Sequence, residues 1–106
     1  MSLMKFPKDT PIRDKKLLDA FSFFCSRHYI GCLYCGSIDI QIHHGVYRSQ
    51  QGSDEFDNLY PLCQYHHEIV HHFGKPKYYE IVELKAKLFK QLEFKLDLDL
   101  SEYYRE

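Results

Sequence analysis

No run of apolar residues in this 106-residue sequence approaches the roughly 18 that a membrane-spanning helix needs, and no leader for secretion is visible. Internal repeats and an interdomain linker are also missing, so a single domain over residues 1–106 is expected. Tryptophan is absent, and nine Tyr and eight Phe carry the aromatic content. Neither sign of charge dominates: the net charge of −1 does not by itself point to a polyanionic partner. Four cysteines without a secretory signal argue against a disulfide framework, because the cytosol keeps thiols reduced. A cytoplasmic protein without a membrane partner is expected.

The charge is unevenly placed. Residues 1–48 hold seven basic and four acidic side chains, net +3, and residues 49–106 hold seven basic and eleven acidic ones, net −4. A phosphate-facing surface is therefore expected on the N-terminal half together with Lys75 and Lys77. Pro7 and Pro11 mark residues 5–11 as an extended arm, with Asp9 or Thr10 before Pro11 as a helix start. Apolar residues at helical spacing (Leu17, Phe21, Phe24, Cys25) predict a helix from Ile12 to Tyr29. Gly31 and Gly36 bracket a cysteine knuckle, and the alternation from Ile38 to His43 predicts a strand. A polar loop from Gly45 to Asp57 leads to a short second strand, Asn58–Leu62, which Pro61 confines to an edge or a strand end. A helix over Cys63–Phe73 should stop at Gly74. A longer amphipathic helix over 78–96 should bury Ile81, Leu84, Leu88 and Leu92, and the acidic tail from Asp97 to Glu106 should fray. A spare helix face would permit a weak homodimer; otherwise a monomer is expected.

Zinc takes four soft or borderline ligands from two short loops. Cys32-x2-Cys35 supplies one pair and Cys63-x2-His66 the other, across the predicted hairpin and at the start of a helix. This is a treble-clef arrangement, α+β in class, and it should stabilise a small core because metal binding is coupled to folding. Cys25 fits neither pair and reads as a buried free thiol. A second group lies between the pairs. His67 and His71, four apart on a helix, differ by only about 40° around its axis and can converge on one ion. His66 lies about 100° from His67, free to face the zinc. His43 can complete a three-imidazole site, and His44 is the natural uncoordinated base, since imidazole titrates near neutral pH.

The run His43-His44, then Asn58, then His67-x3-His71 resembles the HNH (ββα-metal) endonuclease family, and the spacing from Asn58 to His67 and His71 matches that found in colicin nuclease domains. The text from Arg48 to Cys63 is similar to the loop and second strand of zinc-containing HNH proteins, and the resemblance covers about residues 32–72. Residues 11–16 are more loosely similar to small phage and prophage HNH proteins. The resemblance implies hydrolysis of DNA phosphodiesters. His43, His67 and His71 would hold a divalent ion (Mg2+, Mn2+, Ni2+ or Zn2+) beside the scissile phosphate, and His44 would take a proton from the attacking water. Asn58 would brace the loop that aims His44, Arg48 would contact a phosphate, and the products would carry 5′-phosphate and 3′-hydroxyl ends.

Two features depart from a simple reading. Adjacent residues on a flat strand point to opposite faces, so His43 and His44 share a site only if the strand ends or twists there. His66 stands where zinc-containing relatives usually carry a fourth cysteine. Two rival functions remain open: a non-catalytic zinc module that binds DNA or protein, and RNA cleavage.

Overall fold

Helix α1 starts where Asp14 accepts the Lys16 amide, which satisfies one of the donors a helix start leaves open. The computed structural model describes residues 13–47 and 52–105. The arm over 5–11 and the helix start expected at Asp9 or Thr10 lie outside the described residues. Within them, α1 covers Lys15–Arg27, shorter at both ends than the spacing predicts. Beyond Arg27 the chain reverses through Tyr29 at positive φ, and the Ile30 amide donates to the Cys25 carbonyl. α1 buries Phe21 and Cys25, so the free thiol is a core residue; burial pushes it up to about 12, against a small opposing effect of Lys85.

The knuckle closes on itself, with the Gly36 amide donating to the Cys32 carbonyl and the Cys32 amide to that of Ser37. Gly36 sits at φ +77, a conformation side chains rarely adopt. β1 (Gln41–His44) and β2 (Leu59–Leu62) form an antiparallel hairpin with His43 opposite Tyr60 and His44 opposite Leu59. Both strands are shorter than predicted. β1 starts three residues late and includes His44, and a 3-10 turn over Phe56–Asn58 takes up the start of the second strand. Pro61 lacks an amide to donate, but its carbonyl accepts the Leu33 amide and fastens the knuckle to the hairpin. α2 (Gln64–Phe73) follows with Cys63 as its N-cap and Gly74 as its C-cap. The result is the expected α+β treble clef: a two-stranded hairpin and three helices among the described residues, none long and apolar enough to cross a membrane.

Helix α3 runs over Lys75–Leu96, beginning three residues before the predicted start because Pro76 suits a first turn. Its fully buried stripe is Ile81, Lys85 and Phe89, while Leu84, Leu88 and Leu92 are half-buried flanks. Ile81 is buried as predicted, while Lys85 and Phe89 replace Leu84, Leu88 and Leu92 at the centre of the stripe. Lys85 is wholly enclosed, its ammonium donating to the Phe56 and Leu59 carbonyls at 2.6 Å each and facing the rings of Phe21, Tyr60 and Phe89. Burial pulls it down to about 7, while the carbonyls and ring faces favour the charged form. An unfolded lysine titrates near 10.4, so between about 7 and 10 the unfolded chain holds more protons and stability rises with pH. Urea unfolding of the zinc-loaded protein should show the wild type gaining on Lys85→Met by up to about 1 kcal/mol per pH unit in that window. A difference that stays flat with pH would contradict it.

The tail does not fray at Asp97. Leu100 is buried, its amide and the Tyr104 hydroxyl donate to Glu93, and Tyr103 stacks on Phe56 at 4.7 Å. Arg105 pairs with Asp57 at 3.2 Å. The aromatic tail residues thus close the core under the turn that leads into β2, an attraction their acidic neighbours conceal in the sequence.

Candidate functional site

The knuckle and the N-terminus of α2 bring Cys32, Cys35, Cys63 and His66 together, with one ligand atom from each within 4.8 Å of the others. The Cys35 and Cys63 sulfurs are 3.8 Å apart, and His66 Nδ1 lies 3.2 Å from Cys63 Sγ and 3.6 Å from Cys32 Sγ. Zinc bonds of about 2.0–2.3 Å place tetrahedral N and S ligands about 3.3–3.8 Å apart, so this donor set fits the ion. Burial would push the Cys32 thiol up, but the amides of Cys63, Cys35 and Tyr34 outweigh it and hold the thiol below its ordinary value. That favours the thiolate a metal needs. The ring of Tyr34 stacks on His66 at 5.1 Å, and its hydroxyl donates to Glu80 at 2.6 Å, which ties the ligand ring to α3.

His43, His67 and His71 form the second cluster, again with ligand atoms within 4.8 Å of one another. His43 stands on β1 and is buried, His67 is half-buried and His71 exposed on α2. The Nε2 atoms of His67 and His71 lie 3.1 Å apart, close to the roughly 2.9–3.4 Å expected for two imidazoles on one ion. Nδ1 of His67 meets Gln41 Oε1 at 2.7 Å. An amide oxygen only accepts, so that nitrogen carries the proton and Nε2 keeps its lone pair for a metal. His43 Nδ1 is the one buried side-chain nitrogen or oxygen among the described residues without a hydrogen-bond partner. Burial, then the neighbouring His67, His71 and His44, hold His43 down to about 3; burial and His71 lower His67 as well. Neutral imidazoles with an orphaned buried nitrogen are what a divalent ion would satisfy.

His44 leaves the same strand in another direction. Its Nε2 meets Asp54 Oδ1 at 2.8 Å, and Asp54 is 1% exposed. His44 is nevertheless near enough to oppose the protonation of His43. The strand therefore need not end before His44: its partner Asp54 comes from the far side of the loop. Asn58 holds that loop closed. Its Oδ1 accepts the Val46 amide at 2.8 Å, and its Nδ2 donates to the carbonyls of Val46 and Ser53. At Gly52 a Cβ would lie 1.6 Å from the Val46 carbonyl oxygen, so only glycine permits this closure. Arg48 lies outside the described residues. His72 is exposed and His28 rests on Phe24, both apart from the two clusters.

Two polar residues that contact the site histidines are not among the sequence candidates. Gln41 precedes His43 by two on a strand, so period-two alternation was a signal that it shares the His43 face. Asp54 carries no comparable signal, since loop closure alone brings it to His44. Beside His43, a cavity of about 330 Å³ is lined by Tyr47, Lys75, Tyr78 and Tyr79 among others.

Both clusters, the hairpin and α2 fall inside residues 32–73, which match the family model for the HNH endonuclease. Over this segment the chain is similar to the HNH endonucleases, a family of nucleases that generally act on nucleic acid. No curated protein and no solved structure matches the chain.

Proposed function

We propose that this protein is a metal-dependent endonuclease that hydrolyses DNA phosphodiester bonds, with His44 as its general base. The observation that carries this reading is the convergence of His43, His67 and His71, with their unsatisfied nitrogen, beside a fourth imidazole that no cluster uses. Cys32, Cys35, Cys63 and His66 hold a structural zinc. His43, His67 and His71 hold a catalytic divalent ion (Mg2+, Mn2+, Ni2+ or Zn2+), which when bound neutralises charge building on the scissile phosphate and its leaving oxygen.

His44 accepts a proton from the attacking water, and Asn58 keeps the loop closed so that His44 stays aimed. Lys75 and the tyrosines of the adjoining cavity offer a cation and ring faces to the nucleic-acid chain next to the cut. Arg48 is assigned to a phosphate by the family motif alone.

Supercoiled plasmid incubated with the protein and each of these metals tests the reading, with an RNA transcript run in parallel. Relaxed or linear plasmid is expected, stopped by chelator, and His44→Ala should slow it by about 10²–10⁴-fold. Equal cleavage by His44→Ala would remove the base. Cleavage of RNA alone would change the substrate, and cleavage of neither under any metal would make the domain a binding module.

A further inference from the structure

We propose that Asp54 is a positioning residue that fixes His44 as the Nε2–H tautomer, leaving Nδ1 as the nitrogen that accepts a proton. The catalytic consequence rests on the nuclease reading above; the tautomer itself does not.

The argument starts from the donor inventory. A carboxylate only accepts, so the 2.8 Å contact between Asp54 Oδ1 and His44 Nε2 requires the ring to donate. A neutral imidazole has one N–H, and with it at Nε2 the lone pair sits on Nδ1. Left to itself a histidine samples both tautomers and rotates about its second torsion. Asp54 removes both freedoms, provided the carboxylate is itself held.

It is held from several directions. The Asp14 amide donates to Oδ2 at 3.0 Å, and Asp14 is the residue that caps α1. Arg13 donates to the Gly52 carbonyl and Asn58 to that of Ser53, so the two residues before Asp54 are pinned as well. The side chain is 1% exposed, which shields the contact from competing water. The start of α1, outside the matched HNH segment, thereby sets the orientation of a histidine inside it.

The anchoring amide also dictates what the isosteric change does. In Asp54→Asn the Asp14 amide cannot rotate away, so the one remaining carbonyl oxygen must stay with it. The NH2 group then faces His44 and forces Nε2 to accept, which moves the ring proton to Nδ1. The tautomer follows from these contacts alone, and a fall in kcat at constant KM is what an aspartate that merely tethered α1 to the hairpin would not give.

Long-range proton–nitrogen correlation spectra of zinc-loaded protein, taken where the ring is neutral, read the tautomer directly, with His44→Ala providing the assignment. Nε2–H is expected in the wild type and Nδ1–H in Asp54→Asn. The variant should also lose roughly 100-fold in kcat with KM within about threefold and zinc content unchanged. An Nδ1–H wild-type ring would overturn the assignment, as would an unchanged tautomer or unchanged kcat in the variant. If Asp54→Asn does not fold, the wild-type spectrum still decides. A wild type that cuts nothing defeats the nuclease reading, while the spectra continue to support or overturn the role of Asp54.

Discussion

Cys35→Ser should yield a chain with no cooperative unfolding transition and less than one tightly held zinc per molecule. The strands joined to the knuckle are only Gln41–His44 and Leu59–Leu62, and a two-stranded hairpin is marginal by itself. What would lock the knuckle to α2 is the proposed four-ligand frame, in which Cys63, the N-cap of α2 and the acceptor of the His66 amide, would also be a ligand. Structural zinc in small domains binds with an apparent 10–16 kcal/mol or so at neutral pH, and whole domains are stable by only about 5–15 kcal/mol. Loss of the ion that a missing thiolate releases is therefore comparable to the net stability of the whole domain. Circular dichroism during a thermal scan, with zinc analysis of the same sample, checks this. A zinc-free variant with wild-type helix content and a cooperative melt would contradict it.

His67→Ala should do the opposite: leave the fold and the zinc in place and remove the second ion. His66 and His67 are consecutive, about 100° apart around α2, so one imidazole faces the cysteines and the next faces His43. His67 is half-buried and its Nδ1 bonds only the exposed Gln41, so truncation opens no core cavity. It does leave two imidazoles where three converge. A bound ion contributes several kcal/mol of transition-state stabilisation, and each 1.4 kcal/mol or so is tenfold in rate. Plasmid cleavage should fall by about 10³-fold or more. Cleavage within tenfold of wild type would contradict the assignment of His67.

Much of this arrangement is legible in the sequence because ligand spacing is a local code. Cys32-x2-Cys35, Cys63-x2-His66 and His67-x3-His71 each fix geometry within one turn, and the structure brings the two groups together as those spacings predict. The elements follow their punctuation too: Gly74 ends α2. Tertiary partners are what the sequence conceals. Lys85 lies outside the predicted stripe of Ile81, Leu84, Leu88 and Leu92, and its burial follows from the Phe56 and Leu59 carbonyls that accept its ammonium. Tyr103, Tyr104 and Arg105 read as an acidic, frayed end until Glu93, Asp57 and the Phe56 ring receive them. Asp54 reads as loop polarity until closure through Asn58 sets it against His44. In each case a polar group gains its meaning from a partner far away in the chain.

The division of two neighbouring imidazoles between two metal centres is tested most directly by native mass spectrometry in zinc excess. Two ions per wild-type chain are expected, and one per chain in His67→Ala that remains folded. A single ion in the wild type, or two retained by His67→Ala, would contradict the two-centre assignment.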